Sequence, residues 1–193
     1  MMQRILLTGT GTVVGRTGAT LKIVELPEQS YGGRLEGKLV VERMFPPGGG
    51  RSLPHRHMDF DESYEVLEGI ADAQIDGLNR RLIANNEVFK VPSGTNHVNP
   101  YSSDDTGVRL RHTIASPTDA ALAYVNTLIQ LMKQGRDDDG ELPPLATLAV
   151  FEGMQGRTYL SQLPVWSQQK LLMPIGARIA RQRGYKVWPA RLP

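Results

Sequence analysis

Three of the four histidines in this 193-residue chain fall in two short segments. His55 and His57 are separated by one residue, and because side chains on a β-strand alternate between its faces, both imidazoles point to the same side. Glu62 follows after four intervening residues, which is far enough for the chain to turn and bring a carboxylate to the same point. Two imidazoles and one carboxylate suit a divalent transition metal. The pattern therefore predicts a metal site built on strands.

A second segment supplies the remaining ligand. His97 follows Pro92 and Gly94, which predict a tight turn that aims the imidazole from a separate strand. The chain has no cysteine, which excludes disulfides, thiolate metal sites and a cysteine nucleophile. Any metal here must be held by nitrogen and oxygen atoms.

The chain from Met1 to about Thr113 has the texture of a β-protein. Short runs rich in Val, Ile, Leu and Thr are broken by clusters of Gly, Pro, Asn and Asp, a spacing typical of a sandwich or barrel. We expect strands at Arg4–Leu7, Thr20–Glu25, Lys38–Phe45, Tyr64–Leu67, Ala71–Ile75, Glu87–Val91 and Val108–Ile114. We expect turns at Gly32-Gly33, Pro46 to Gly50, Asp76-Gly77 and Asn85-Asn86.

After Ser116 the pattern becomes helical. Ser116, Pro117 and Asp119 predict a helix start with a serine cap and a proline in the first turn. Apolar residues then recur at helical spacing until Gly135 ends the run. These apolar positions are Leu122, Val125, Ile129 and Met132.

The rest of the chain is expected to form an acidic loop and two more helices. The loop over 136–141 contains glycine and several acids, so we expect it to be exposed. The helices are expected at Pro144–Phe151 and Gln168–Arg183. The second of them has an apolar face formed by Leu171, Leu172, Ile175 and Ile179.

The first histidine segment resembles the first motif of the cupin superfamily. That motif is a glycine, five residues, HxH, three or four residues, Glu, six residues and a glycine. Every fixed position is matched, by Gly49, His55, His57, Glu62 and Gly69.

The second segment resembles the second cupin motif, a glycine, five residues, PxG, two residues, His, three residues and Asn. The matching residues are Pro92, Gly94 and His97. Asn86 stands in place of the leading glycine, and it can still adopt the left-handed conformation that glycine favours. Tyr101 stands in place of the final asparagine, with Asn99 two positions early. Neither departure affects a ligand.

The resemblance covers residues 37–114 and implies a mainly β fold. It implies a cupin-type double-stranded β-helix, a jelly-roll barrel, over 1–115, and a C-terminal appendage of two or three helices over 116–193. That extension would pack on the barrel or on a partner subunit. The resemblance also implies that Fe, Mn, Ni, Cu or Zn binds inside the barrel mouth, with two coordination positions left for water, oxygen or substrate. The implied ligands are His55, His57, Glu62 and His97.

Three further residues are candidates for the site. His112 shares a strand face with Val108 and Leu110, so it points into the barrel either as an acid, base or substrate contact, or as a core histidine satisfied by a backbone group. Tyr64 and Phe89 are candidates for lining the pocket, although aromatic residues in strands commonly form plain core.

The composition of the chain limits the kinds of partner that we expect it to bind. The net charge is only +2, so no nucleic-acid partner is implied. The first residues lack a secretory signal and no run is long enough to span a bilayer, so we expect a cytoplasmic protein without a membrane role. The resemblance and the amphipathic extension together favour a homodimer that binds a small molecule.

Several functions fit such a site. A redox-active metal with open positions can bind oxygen beside an organic substrate, which favours an oxygenase or oxidase. Zinc or another Lewis acid would favour an isomerase, epimerase or hydrolase. A third alternative is a cupin that binds a small ligand without converting it.

Overall fold

The computed structural model describes residues 5–9, 11–29, 35–85, 88–103, 105–154, 157–161 and 163–191. The strands are β1 (Ile5–Leu6), β2 (Thr12–Val14), β3 (Thr20–Glu25), β4 (Glu28–Gln29), β5 (Leu35–Glu36), β6 (Lys38–Phe45), β7 (His55–His57), β8 (Asp61–Ile75), β9 (Leu78–Ile83), β10 (Phe89–Val91), β11 (His97–Ser102), β12 (Val108–Ala115), β13 (Thr158–Leu160) and β14 (Ala190–Arg191). The helices are α1 (Asp119–Lys133), α2 (Pro144–Gly153), α3 (Val165–Ser167) and α4 (Met173–Gln182), with a π-helical segment at Gln168–Leu172. The expectations that fall outside the described residues are those at Arg4, Gly32, Gly33, Asn86 and Glu87.

Two antiparallel sheets share the long strand β8. Its first half pairs with β12 and β10, and this sheet continues from β12 through β6 and β3 to β2. Its second half pairs with β9 and β11, and this sheet continues through β7 to β13. Two antiparallel sheets that share strands around one core form a jelly roll. The double-stranded β-helix expected from the sequence is confirmed.

Gly69 lies where β8 passes from one sheet to the other. Its φ is +81°, and a side chain there would collide with the carbonyl oxygen of Gly107. Only glycine tolerates both conditions. The sequence predicts separate strands at Tyr64–Leu67 and Ala71–Ile75, whereas the structure joins them, because Gly69 lets the chain bend without ending the strand.

The inward-facing residues of β12 connect two apolar clusters. Val108 and Leu110 belong to a cluster within the barrel. Ile114 belongs to a larger cluster that also contains the buried face of α1. His112 lies between them and is buried. The barrel therefore has a polar layer enclosed on both sides by apolar side chains.

Helix α1 covers the sheet with the apolar face that its periodicity predicts, but its cap differs from the expected one. The N-cap is Thr118, whose hydroxyl accepts a hydrogen bond from the backbone nitrogen of Ala121 at 3.4 Å. Ser116 instead has a φ of +51° and precedes Pro117 outside the helix. The helix ends before Gly135, as expected.

Two acids of the loop after α1 are buried while Asp138 is exposed, so the expectation of an exposed loop is wrong for those two acids. The Asp137 carboxylate accepts hydrogen bonds from the backbone nitrogens of Arg16 at 3.1 Å and Gly140 at 3.0 Å. A side chain at Gly140 would lie 2.9 Å from the ring of Phe45. Glu141 is also buried. The acids enter the interior because donors there compensate for the lost water.

The last helix packs through its small residues. Gly176, Ala177 and Ala180 are buried, and a side chain at Gly176 would lie 2.5 Å from Leu148 on α2. The apolar face predicted for packing is exposed at Leu171, Ile175 and Ile179. Small residues let two helices approach closely, and this close packing determines which face is buried.

The C-terminal extension also contributes strands. Thr158–Leu160 pairs with His55–His57, and Ala190–Arg191 pairs in parallel with Ile5–Leu6. The extension therefore packs on the barrel of its own chain, while the division into domains at residue 115 stays a prediction. Across the described ranges, no helix has both the length and the apolar character needed to cross a membrane.

Candidate metal centre

The three histidines of the predicted site lie on two neighbouring strands. His55 and His57 lie on β7, and both side chains are buried on its inner side. His97 begins β11 and pairs directly with His55. Gly94, with a φ of +82°, forms the turn before His97. The alternation of side chains on a strand and this turn bring the imidazoles together as predicted.

The imidazoles present their Nε2 atoms to one another. Nε2 of His55 lies 3.1 Å from Nε2 of His57, and one nitrogen from each of His55, His57 and His97 lies within 4.8 Å of the others. Nδ1 of His55 donates to the carbonyl oxygen of Leu53 at 2.6 Å. Nδ1 of His97 donates to the carbonyl oxygen of Thr95 at 3.0 Å.

These carbonyl contacts determine the tautomer of two ligands. A carbonyl oxygen only accepts, so the proton of His55 and that of His97 lie on Nδ1. Nε2, which faces the other ligands, is then the nitrogen available to a metal; in His97 without metal it shares a proton with Glu62.

The third imidazole is held by the C-terminal extension. Nδ1 of His57 lies 3.0 Å from Oγ1 of Thr158, a buried residue of β13. Sequence analysis missed Thr158, because nothing local to the segment between α2 and α3 marks one threonine as a partner of a distant histidine.

The carboxylate of Glu62 lies next to two of these imidazoles. Its Oε2 lies 3.1 Å from Nε2 of His97 and 3.7 Å from Nε2 of His57. Two ligands on adjacent positions of one ion, each bonded at about 2.1 Å, lie about 3 Å apart. Glu62 therefore lies beside two of the three grouped histidines.

His112 and Tyr64 contact the carboxylate of Glu62 and do not face the space beside the three histidines. Nε2 of His112 lies 3.0 Å from Oε1 of Glu62, and the Tyr64 hydroxyl donates to Oε2 at 3.3 Å. The two rings stack with centroids 4.3 Å apart. His112 is thus satisfied by a carboxylate, not by the backbone group that the sequence analysis weighed. Phe89 packs against the apolar cluster within the barrel.

Comparison with known proteins gives likeness of fold only. No family model and no curated protein matches the sequence. Similar solved structures include a cupin protein from Bacteroides fragilis, at 22% identity over 42% of this chain and 68% of that one, with a TM-score of 0.39. KdgF from Halomonas sp. is 22% identical over 53% of this chain and 83% of that one, with a TM-score of 0.42.

A cupin-like protein from Thermotoga maritima is 19% identical over 60% of this chain and 80% of that one, with a TM-score of 0.42. Likeness at this level carries no conclusion about function. The assignment of the fold rests instead on the strand pairing of this chain and on the grouping of its three motif histidines. The chain has a cupin fold.

Burial keeps two ligands of the cupin site in the form that binds metal. It lowers the pKa of His55 well below its ordinary value, and the nearby His97 and His57 lower it further. Burial also lowers the pKa of His57 to about 4. Both imidazoles are neutral near pH 7, as metal binding requires.

Glu62 and His97 form the charged part of the site. Burial alone would raise the pKa of Glu62, but the proximity of His57 and His112 and hydrogen bonds from His112 and His97 hold it well below its ordinary value. Burial would lower the pKa of His97, but the hydrogen bond to Glu62 and its charge raise it. A metal ion that binds here takes the place of the proton that His97 shares with Glu62.

The donor set fits a divalent transition metal. Three imidazole nitrogens and one carboxylate oxygen are all buried, and no thiolate is available in a chain without cysteine. Imidazole ligands suit Fe, Ni, Cu and Zn, and carboxylate ligands suit Mn. Because the site offers both kinds, the ligands do not discriminate among these five metals.

A cavity of about 30 Å³ adjoins the metal ligands. The cupin barrel supplies one part of its wall and the C-terminal extension supplies the other. The barrel residues are Ser52, Leu53, His55, His57, Phe60, Glu62, Asn99 and Ile114. The residues from the extension are Ala121, Tyr124, Glu141, Leu142, Thr147, Phe151 and Met154.

Two aromatic rings line this cavity beside the histidines, those of Phe60 and Phe151. Phe60 stacks on His57 with centroids 4.3 Å apart, and the ring of Phe151 lies 5.9 Å from that of His55. Tyr64 and Phe89, which the sequence left as candidates for either lining or core, do not line it. Tyr64 is buried against Glu62, and Phe89 packs against the apolar cluster within the barrel.

Proposed function

We propose that this chain is a metal-dependent enzyme of the oxygenase or oxidase type that acts on a small molecule. The observation that carries the proposal is the convergence of three imidazole nitrogens, with Glu62 next to His97, beside a cavity. A cavity needs roughly 10–15 Å³ to hold one water molecule. The space of about 30 Å³ beside the ligands thus suits molecules of the size of water or dioxygen.

The residues of the chain prepare the site for this role. Leu53, Thr95 and Thr158 orient the imidazoles through hydrogen bonds. His112 and Tyr64 hold Glu62 in place. A redox metal bound by these ligands would supply the electron transfer that dioxygen chemistry needs. The apolar residues around it would exclude bulk water.

The test combines metal analysis with oxygen consumption. Protein purified without added metal is examined for its elemental content, and oxygen uptake is then screened against catechols, flavonols, thiols and diketones. A copurified redox metal with substrate-dependent oxygen uptake supports the proposal. Failure to bind any divalent transition metal contradicts it, as does stoichiometric metal in the His57→Ala variant.

A second candidate is Lewis-acid chemistry of the isomerase, epimerase or hydrolase kind. The buried carboxylate of Glu141, which lines the cavity without belonging to the ligand set, favours it. Such reactions need a group that takes or gives a proton near the metal. Full occupancy by zinc with no oxygen uptake would support this candidate over the first.

The remaining expectations stay predictions. A small-molecule substrate, a homodimer and a cytoplasmic location are each proposed from the sequence alone. Size-exclusion chromatography with light scattering measures the oligomeric state directly, and a monomer at micromolar concentration would contradict the homodimer.

A further inference from the structure

A buried charge cluster lies beside the cavity, where the barrel meets the extension. Nη2 of Arg43, on β6, lies 2.7 Å from Oε1 of Glu141. The hydroxyl of Tyr124, on α1, donates to Oε2 of Glu141 at 2.7 Å. Arg43 and Glu141 are both buried, while Tyr124 and Glu141 line the cavity. This cluster joins the barrel to the extension.

The Glu141 carboxylate can accept more hydrogen bonds than the donors around it supply. A carboxylate accepts about four hydrogen bonds. Oε2 of Glu141 takes the Tyr124 hydroxyl and, at 3.4 Å, the backbone nitrogen of Leu142. Oε1 is paired with Nη2 of Arg43 at 2.7 Å, and no other donor among the described residues meets it. Glu141 thus retains accepting capacity beside the cavity.

The side chain of Asn99 offers a second acceptor on the cavity wall. Asn99 is buried and lines the cavity. Its interaction with His97 helps to raise the pKa of that imidazole, but its Oδ1 meets no donor in hydrogen-bond geometry in the described part of the chain. The backbone nitrogen of Asn99 donates to Oγ of Ser52 at 3.1 Å. Buried acceptors are costly when unpaired, so those beside a cavity indicate a ligand that donates.

We propose that Glu141 and Asn99 accept hydrogen bonds from a proton-bearing oxygen on the metal, either water or a hydroxyl group of the substrate. Arg43 and Tyr124 are positioning residues that hold the Glu141 carboxylate. The C-terminal extension thereby supplies one acceptor, Glu141, to a site whose metal ligands and second acceptor, Asn99, come from the barrel. This inference rests on the proposed metal site.

The test measures binding of azide, an anion that donates no hydrogen bond, to protein loaded with Co²⁺. The negative charge of Glu141 and the lone pair of Asn99 disfavour azide but favour water. Glu141→Gln is expected to tighten azide binding about tenfold, as removal of one nearby charge in a buried site does. Visible absorption of the Co²⁺ site reports the azide dissociation constant.

A second variant and a control make the result decisive. Asn99→Leu removes the other acceptor at similar volume and is expected to tighten azide binding by a smaller factor, so it decides the question if Glu141→Gln does not fold. Glu152→Gln removes a carboxylate that pairs with Arg181 on the surface and is expected to leave azide binding unchanged.

The outcomes separate this inference from the proposed function. Stoichiometric Co²⁺ with azide affinities in Glu141→Gln and Asn99→Leu equal to that of Glu152→Gln would overturn the accepting role and leave the metal site intact. Absence of Co²⁺ binding by the unaltered protein would overturn the metal site itself.

Discussion

At the scale of single residues, the orientation of His57 depends on a side chain that is distant in sequence. Thr158 contacts Nδ1 of His57 across 101 positions of the chain. Residues that hold metal ligands in this way commonly affect metal affinity by about 10–100-fold. We expect Thr158→Val to weaken metal binding by that factor, as measured by competition with a chromophoric chelator. Thr20→Val, on β3, which pairs with β2 and β6 and not with a strand that carries a ligand, serves as the control and is expected to bind metal normally.

The protonation of the ligands predicts the acid sensitivity of the metal-free protein. The pKa of His57 is about 4 in the folded protein, compared with an ordinary value of 6.5. The pKa of His55 is also lowered. Between these pH values the unfolded chain binds protons that the folded chain does not. The free energy of unfolding therefore decreases as pH falls from about 6.5 to about 4, by up to roughly 1.4 kcal/mol per pH unit for each such histidine.

His97 does not change this sign. Its pKa is raised, so its stabilising contribution is complete below 6.5 and is lost only as pH rises through the folded value. Urea unfolding of chelator-treated protein at several pH values measures the dependence. The slope should be smaller in His57→Gln, and a stability that is flat between pH 4 and 6.5 would contradict the burial of neutral imidazoles.

At the scale of elements, the continuity of β8 depends on one glycine. Gly69 and Gly77 both have φ of +81°, but a side chain at Gly77 meets nothing within 4 Å, whereas one at Gly69 collides with Gly107. Gly77→Ala should cost about 1–2 kcal/mol, the penalty for the left-handed conformation alone. Gly69→Ala should cost at least 2 kcal/mol more, since the strand must also shift. Equal losses in urea unfolding would show that the close approach of β12 to β8 does not matter.

Helix α2 separates the cavity from a large surface groove. Met154, just after α2, lines both the cavity and a groove of about 1150 Å³. A smaller side chain there would open a path to the metal, so Met154→Ala is expected to speed removal of metal by a chelator several-fold. Met132→Ala truncates a methionine of the same apolar cluster that lines neither space. If both variants lose metal at the same rate, the path lies elsewhere.

At the scale of the whole molecule, a buried ion pair connects the barrel and the extension. Arg43 contacts both Glu141 and the carbonyl oxygen of Gly140. Removing one partner leaves a buried charge, so Arg43→Met should destabilise the protein by about 3–5 kcal/mol. The double variant Arg43→Met with Glu141→Leu should recover much of that loss. Urea unfolding of the two single variants and the double variant measures the coupling, and additive losses would contradict it.

Sequence patterns alone were enough to predict the three histidines that the structure groups together, the order of most strands and the first helix. Each of these depends on local properties: alternation along a strand, the turn made by Pro92 and Gly94, and helical periodicity after residue 116. Even the departures of the second motif left His97 in its predicted place.

Only the tertiary structure decided which residues complete the site. Thr158, Tyr124 and Glu141 reach the metal ligands or the cavity from the extension, and Arg43 contacts Gly140 across 97 positions. The last helix buries its small residues because Gly176 allows close packing on α2. Such choices depend on how preformed surfaces fit together, and no pattern within one segment contains that information.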